Sequence, residues 1–310
     1  MADAGHIVLA ASRSADRAAE VAPDDPRVTP VVLGADARPT PDVRGNGIVV
    51  NCTGEEDTAT IEAWLRRGWD AVDITASSQY SLDLESLPST GSTLLVGVGL
   101  MPGLSSLMAA ELADTDPGAS QITLSGLLGL ADDHGPASSR WSLGGLGELV
   151  ADAAGAFRNF SHPRAITFPG GFGRRRAWRY DFADRAMLPT RIGTEVDTRY
   201  CFDSRVAGEA MALAGRIPGA PTALLRTAPL LQHSPWGTDW WALVAQTDTG
   251  QRLEALGRSQ SQATALLTFA AIGALQNAAP DPGPHHITDI TSLRRTEPLL
   301  PALGIMLNRG

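Results

Sequence analysis

The chain has 310 residues, a net charge of −9 at pH 7 and a hydrophobic content of 43%. This length predicts about two domains, and the composition is typical of a globular protein with a sizeable core. No stretch approaches the roughly 18 apolar residues of a membrane span. The acidic balance argues against nucleic acid as a partner, so we expect neither nucleic acid nor membrane to be bound.

The residue types that are missing exclude several kinds of chemistry. The basic residues of the chain are all arginines, so a Schiff-base lysine and a phosphate-loop lysine are both excluded. Cys52 and Cys201 are the only cysteines, too few for a disulfide framework or a zinc cage. The first residues lack the basic region and long apolar run of a signal peptide. A reducing cytoplasm is therefore the expected location.

Residues 47–113 carry the strongest secondary-structure pattern. Three short apolar runs, at 48–50, 71–74 and 94–98, are rich in β-branched residues and end at Gly, Thr or Ser, as buried parallel strands do. Apolar residues at helical spacing follow the first run, and another such stripe follows Pro102 and Gly103. This alternation predicts an α/β fold with a doubly wound, Rossmann-like parallel sheet.

Ligands of such sheets bind at the carboxyl ends of the strands. The residues at those ends are expected to surround one crevice, because glycine lets a ligand approach the backbone and a helix start offers free N–H groups. The predicted cofactor-binding residues of this crevice are Cys52, Thr53, Gly54, Thr75, Gly99, Met101, Pro102 and Gly103.

Two further strands are predicted before this stretch, at residues 6–11 and 28–33, with a helix between them. The first of them ends at Ser12, Arg13 and Ser14. In a dinucleotide fold, an acid at this place accepts the ribose hydroxyl of NAD, whereas an arginine accommodates the 2′-phosphate of NADP. These three residues therefore predict NADP rather than NAD.

A dinucleotide site also needs a strand and a G-x-G-x-x-G loop about 20 residues before that position. Counting back from Arg13 runs past Met1, so this strand and loop are expected to be missing. Two interpretations stay open at this point. Either the start codon is placed too far downstream, or the chain has lost its phosphate loop.

Four turn motifs, in this order, resemble the NADP-binding domain of saccharopine dehydrogenase-like oxidoreductases. They are Ser-Arg-Ser at 12–14, Asn-Cys-Thr-Gly at 51–54, Asp-Ile-Thr-Ala at 73–76 and Gly-Leu-Met-Pro-Gly at 99–103. The glycine-rich loop is absent, Leu100 replaces an aromatic residue, and the chain is shorter than lysine-pathway members. The resemblance implies NAD(P)H-dependent hydride transfer at a C–N, C=O or C=C bond.

The second half has a different pattern. Alternating apolar residues at 196–202 predict a strand, residues 240–258 a hairpin, and residues 262–276 a helix. An apolar stripe over residues 146–157 predicts another helix. We therefore expect a Rossmann-like domain at 1–118, an α+β substrate or dimerisation domain with a mostly antiparallel sheet at 119–277, and a tail at 278–310 that packs back on the first domain.

Two residues are predicted to act on the substrate. His134 lies among carboxylates in a polar loop, as a general acid that works near neutral pH does. Arg140 has the geometry to hold a carboxylate through two hydrogen bonds. The arginines at 174–176, with Arg179, either bind an acidic group of the substrate or balance Asp181 and Asp184, and the second interpretation is favoured. No metal site is expected, since the pair at 285–286 has no third ligand at helical spacing.

The sequence thus predicts an NADP-dependent oxidoreductase that acts on a small organic substrate and assembles as a homodimer. The alternative is a non-catalytic relative that serves as a binding or regulatory module, which the missing phosphate loop favours.

Overall fold

The computed structural model describes residue 1 and residues 5–21, 25–34, 45–54, 56–132, 136–152, 155–231 and 237–310. The first strands are β1 (Val8–Ser12), β2 (Val28–Val32), β3 (Ile48–Asn51), β4 (Asp70–Asp73), β5 (Thr93–Val96), β6 (Gln121–Leu128), β7 (Leu149–Asp152) and β8 (Gly155–Arg158). The later strands are β9 (Ser161–Phe168), β10 (Gly173–Arg179), β11 (Glu195–Phe202), β12 (Trp240–Thr247), β13 (Arg252–Arg258), β14 (Gly283–His286) and β15 (Met306–Arg309).

Helices alternate with the strands in the first part of the chain. The α-helices of the described residues are α1 (Ala15–Val21), α2 (Thr58–Leu65), α3 (Ser78–Glu85), α4 (Ser105–Thr115), α5 (Pro136–Gly144), α6 (Ala183–Met187), α7 (Pro189–Ile192), α8 (Arg205–Ala214), α9 (Ala220–Leu231), α10 (Gln260–Ala278), α11 (Ile287–Ile290) and α12 (Leu293–Thr296). A 3₁₀ helix covers Glu297–Leu303. No helix in these described stretches is both long and apolar enough to cross a membrane.

A four-stranded parallel sheet forms the first layer, in the order β14-β5-β4-β3. Its strands are short, and all four residues of β5 are buried, as expected of a sheet covered on both faces. Asp57 caps α2 by accepting a hydrogen bond of 2.9 Å from the N–H of Ala59. The predicted α/β fold with a parallel sheet is confirmed.

β1 and β2 are parallel, as predicted, but they form a two-stranded sheet of their own. Val31 and Leu33 pack against Trp64 and Trp69, so this small sheet contacts the α2–β4 region through side chains. The βα units at the start of the chain therefore lie in two sheets rather than one.

The second layer is a seven-stranded sheet in the order β15-β13-β12-β6-β11-β10-β9. Its neighbours are antiparallel except for β6 and β11, which run parallel. The hairpin of β12 and β13 turns at residues 248–250, and α10 follows it, as the sequence predicts. The mostly antiparallel second sheet is confirmed.

The helix predicted over residues 146–157 is wrong. This segment contains the antiparallel pair β7 and β8. Leu149 is 68% exposed, so the apolar stripe that suggested a helix is not a buried face. Gly155 has φ of 127°, a conformation that an α-helix does not contain.

The C-terminal tail contributes to both layers. β14 is an edge strand of the parallel sheet, where it pairs with β5, and β15 is an edge strand of the large sheet, where it pairs with β13. One apolar cluster, which includes Leu95 of β5, Leu243 of β12 and Ile287 of α11, joins the two layers. The domain boundaries at 118 and 277 stay a prediction.

Candidate functional site

A cavity of about 460 Å³ is lined by the turns that follow β3, β4 and β5, and by residues of the large sheet, α5 and α10. This volume is within the usual range of small-molecule sites. The predicted residues that line it are Cys52, Gly54, Thr75, Gly99, Met101, Pro102 and Arg140. The structure thus brings one residue or more from each of the three strand ends to one place.

The turn after β3 is held by Asn51. Its amide Nδ2 donates to Oδ2 of Asp73 at 2.6 Å, and its Oδ1 accepts a 2.8 Å hydrogen bond from the Thr53 hydroxyl. Gly54 has φ of 67°, which suits glycine and lets the chain turn beside the cavity. The Thr53 side chain is thus committed to the turn itself.

Asp73 connects this turn to the next one. Its Oδ1 accepts a 2.8 Å hydrogen bond from the N–H of Thr75. Burial raises the pKa of Asp73, although hydrogen bonds from Thr75 and Asn51 oppose the rise. Burial, together with the Asp73 charge, also raises the pKa of the Cys52 thiol. Cys52 faces the cavity as a neutral thiol, which is a poor nucleophile.

The turn after β5 depends on glycines. Gly97, Gly99 and Gly103 have φ of 69°, 129° and 128°. A Cβ on Gly99 would lie 3.1 Å from the Thr264 methyl group, so α10 packs closely on this turn. Gly103 lines a second, largely apolar cavity of about 460 Å³ between α4, α10 and α11.

The start of α4 already faces an acid from within the protein. Asp184 of α6 is fully buried and accepts hydrogen bonds from the hydroxyls of Ser105 at 2.9 Å and Ser106 at 2.5 Å. The Ser106 oxygen in turn accepts a 3.1 Å hydrogen bond from the N–H of Gly103. Burial raises the pKa of Asp184 to about 6, despite the two hydroxyls. This carboxyl group occupies the end of α4 that the sequence assigns to the cofactor.

The cavity also contains two polar groups that sequence reasoning missed. Tyr200 of β11 and Gln260 of α10 both line the cavity. The Tyr200 hydroxyl and the Gln260 Oε1 are buried, and neither has a hydrogen-bond partner in the part of the chain that the structure describes. Ser142 lies near the Tyr200 hydroxyl but outside hydrogen-bond geometry. Buried polar groups in native structures are nearly always paired, so these two are candidates to bind a ligand.

The Tyr200 ring is fixed by other aromatic rings. Phe160, Tyr180 and Phe202 make edge-to-face contacts with it at centroid distances of 5.1, 5.0 and 5.4 Å. Tyr200 lies beside Gly126 of β6, which also lines the cavity. The alternating pattern at 196–202 placed Tyr200 on a buried face, but only the pairing of β6 with β11 shows that this face lines a cavity.

Arg140 lies at the exposed rim. Arg140 is on α5, and its guanidinium is 3.5 Å from the carbonyl oxygen of Thr53 in the turn after β3. This contact is at the outer limit of a hydrogen bond. The other predicted substrate residue, His134, lies outside the described residues.

Ser12 is the last residue of β1, in the separate two-stranded sheet, and Arg13 and Ser14 follow it. The Ser12 and Ser14 hydroxyls accept hydrogen bonds from the N–H groups of Ser14 and Arg17, at 3.3 and 3.5 Å. None of the three is among the described residues that line the cavity. The structure therefore does not bring them together with the strand-end turns.

The sequence favoured the interpretation that the arginines of β10 balance Asp181 and Asp184, and the structure contradicts it. Arg179 instead binds Asp152 at 2.7 Å and Asp197 at 2.8 Å. Asp181 pairs with Arg185, its neighbour one helical turn later. The interpretation fails because strand pairing, which the sequence does not show, places β10 beside β11.

His286 is the buried member of the histidine pair. Its Nδ1 accepts from the N–H of Thr288 at 3.3 Å, and its Nε2 is buried without a hydrogen-bond partner beside Gly97. Burial and the nearby charge of Arg191 lower the pKa of His286 to about 3, so the ring is neutral. Among the described residues, no three His, Cys, Asp or Glu side chains come close enough to hold a metal.

Comparison with known proteins gives a distant structural likeness. No protein-family model matches the chain. No curated protein matches it either. Among solved structures, the chain is similar to an apo, histidine-tagged saccharopine dehydrogenase (L-Glu forming) from Saccharomyces cerevisiae, with 12% identity, a TM-score of 0.48 and coverage of 85% of this chain and 84% of that chain. At this similarity the likeness does not indicate cofactor or reaction.

Proposed function

We propose that this chain is an oxidoreductase that binds a nicotinamide cofactor, NADP rather than NAD, and reduces or oxidises a small organic substrate in the cavity beside the three strand-end turns. One observation carries the proposal. The turns after β3, β4 and β5 line the same cavity as two buried polar groups, of Tyr200 and Gln260, that have no hydrogen-bond partner among the described residues.

The wall made by the turns has the features that a nicotinamide ring needs. Gly54 and Gly99 allow a flat ring to approach the backbone, because neither carries a side chain. Ile74, Met101 and Pro102 supply apolar contacts on the same wall. When bound there, the nicotinamide would supply the hydride, and the surrounding apolar residues would exclude the water that competes for reactive groups.

Tyr200 and Gln260 would orient the substrate. The Tyr200 hydroxyl is a hydrogen-bond donor, and burial raises the pKa of Tyr200, so the proton stays on the oxygen at neutral pH. The Gln260 Oε1 is an acceptor. Together they suit a substrate that presents one acceptor and one donor, such as a carbonyl oxygen next to an N–H or O–H group.

The preference for NADP rests on the sequence position of Arg13. Arg13 lies outside the cavity, at the end of β1, so it would contact the far end of the cofactor rather than the nicotinamide. A phosphate at this end would find the guanidinium and the hydroxyls of Ser12 and Ser14.

Calorimetric titration of the purified chain with NADPH and NADH tests the cofactor. We expect NADPH to bind more tightly, and Arg13→Gln to remove most of that preference while leaving NADH binding unchanged. Arg17→Gln on α1 is the matched control, since it removes one positive charge four residues away. Failure of both cofactors to bind would refute the proposal.

The alternative is a non-catalytic binding module. It is favoured because α4 begins at a buried internal acid, Asp184, rather than at an open anion site. Binding of NADPH without oxidation by any compound in a screen of carbonyl and imine substrates would support this alternative. Light scattering of the same sample tests the proposed homodimer.

A further inference from the structure

A separate cavity of about 420 Å³ lies between β10, the end of β11 and the start of α8. It shares no described lining residue with the cavity of the proposed active site. Four arginines line it, at 174, 175, 176 and 205, together with the aromatic rings of Trp178 and Phe202. Such a cluster is notable in a chain with a net charge of −9.

Most of the positive charge in this cavity has no internal counterion. Arg176 pairs with Glu209 of α8 at 2.7 Å. Arg174 and Arg205 form no ion pair with any carboxylate of the described residues, and Arg205 donates instead to the Arg174 carbonyl oxygen at 3.3 Å. The Nε of Arg175 is buried without a hydrogen-bond partner.

Other arginines nearby are neutralised. Arg179 lies between Asp152 and Asp197, and Arg185 pairs with Asp181, each within 2.8 Å. Glu209 is the one carboxylate among the described residues that line the cavity, and it faces four arginines. Like charges held close together repel one another, and an external anion would relieve this repulsion.

The base of the cavity is rigid. Trp178 stacks on Phe160 with their centroids 4.8 Å apart and their planes 12° apart. Gly208 of α8 packs directly on Trp178, because a Cβ there would lie 2.7 Å from the indole ring. The start of α8 is thereby fixed at the cavity, and the dipole of this ten-residue helix adds partial positive charge at the same end.

We propose that this cavity binds a phosphate-bearing small molecule, with Arg174 and Arg205 contacting the phosphate oxygens and Phe202 contacting the apolar part. Guanidinium groups bind phosphate through paired, charge-assisted hydrogen bonds. A single carboxylate has fewer acceptor oxygens and would satisfy the donors of two guanidinium groups less completely. A concave site in an otherwise acidic protein suits a small ligand better than a polynucleotide, which needs an extended basic surface.

Calorimetric titration of the full chain with pyrophosphate and with phenyl phosphate tests this proposal. We expect both to bind, and the double variant Arg174→Gln/Arg205→Gln to weaken binding about tenfold or more, since each hydrogen bond to a charged group contributes at least that much. The matched control is Arg66→Gln/Arg216→Gln, which removes the same charge outside the cavity and should change affinity less than about twofold. Circular dichroism confirms that each variant folds.

Three results would overturn the proposal. They are no binding of either probe, equal weakening in both double variants, and tighter binding of heparin or duplex DNA than of pyrophosphate. The first would show that the cavity holds no phosphate site, the second that the arginines act only as general surface charge, and the third that the partner is a polymer. The test does not depend on the oxidoreductase activity, because the two cavities share no described lining residue.

Discussion

Two buried tyrosines in ring contact differ in one respect, their hydroxyl groups. The Tyr180 hydroxyl donates to the carbonyl oxygens of Trp141 and Ser142, at 2.9 and 3.1 Å, whereas the Tyr200 hydroxyl has no hydrogen-bond partner within the described stretches. An unsatisfied buried hydroxyl costs about 1–3 kcal/mol, and a typical satisfied one contributes about 1 kcal/mol. The unpaired Tyr200 hydroxyl therefore lowers the stability of the ligand-free protein, and a ligand that binds this hydroxyl would restore it.

Phenylalanine substitutions at these two positions should have opposite effects. We expect Tyr200→Phe to leave the free energy of unfolding unchanged or to raise it by about 1 kcal/mol, and Tyr180→Phe to lower it by about 1 kcal/mol. Urea denaturation of the ligand-free proteins measures both. A Tyr200→Phe variant as unstable as Tyr180→Phe would show that the Tyr200 hydroxyl is satisfied in solution.

Asp184 makes stability depend on pH. Its pKa is raised to about 6 from 3.8, so the folded state binds the proton more tightly than the unfolded state. The contribution of this group is most favourable below about pH 4, falls as the pH rises to about 6, and is constant above that. The fall amounts to about 3 kcal/mol, at 1.36 kcal/mol per pKa unit.

Asp184→Asn removes this titration. The difference in unfolding free energy between native protein and variant should therefore change by about 3 kcal/mol between pH 4 and pH 7, in favour of the variant at pH 7. Denaturation curves at several pH values measure it. Asp114→Asn, an exposed acid on α4, controls for the loss of one negative charge. A difference that does not vary with pH would contradict the raised pKa.

Part of the site could be predicted from local sequence. The turns containing Cys52, Thr75 and Gly99 meet because parallel strands end at one edge of a sheet, which strand patterns reveal. Tyr200 and Gln260 could not be predicted, because their place depends on which distant strands pair and in what register. Asp184 was missed for the same reason, since its serine partners lie 78 and 79 residues earlier in the chain.

At the level of elements, the turn after β5 and strand β14 fit each other closely. Gly97 has φ of 69°, and a Cβ at this position would overlap Nε2 of His286. The buried imidazole thus requires glycine on the neighbouring strand end. This contact sets the position of the turn that lines the cavity.

Gly97→Ala should therefore destabilise the protein more than a simple change of backbone preference does. Gly91→Ala is the matched control, because Gly91 has φ of 89° and open space around it. Overpacking a core position costs about 1–3 kcal/mol, so we expect Gly97→Ala to exceed the control by that amount. Thermal unfolding compares them. Equal losses would show that His286 moves aside freely.

Elements whose apolar residues recur at a clear helix or strand spacing could be predicted, and elements without such a spacing could not. The β11 strand, the β12–β13 hairpin and α10 all lie where their patterns indicate. The β7–β8 pair was mistaken for a helix because each strand has only four residues and is largely exposed, so the spacing of its few apolar residues misleads. The entry of β14 into the parallel sheet is a long-range pairing that local sequence does not indicate.

For the whole molecule, the tail couples the two layers. Its strands β14 and β15 belong to different sheets. The apolar cluster between the layers contains residues of both sheets. Neither sheet can therefore unfold without losing an edge strand or exposing that cluster. We expect one cooperative transition, although chains of this length often unfold domain by domain.

Hydrogen exchange with increasing denaturant tests this coupling. Amides of β4 in the parallel sheet and of β12 in the large sheet should exchange through the same global opening, with equal free energies. Amides of the β7–β8 pair should exchange earlier, since this pair forms a separate two-stranded sheet. Separate global openings for β4 and β12 would show that the layers unfold independently.

The position of β14 also has a consequence for aggregation. Every residue of β5 is buried, and β14 covers the side of β5 that faces away from β4. A fragment that contained the parallel sheet without the tail would present β5 as an uncovered apolar edge, the type of edge that recruits strands from other chains. The four residues of β14 thus protect the first layer from self-association, a role that the tail performs from almost two hundred residues away along the chain.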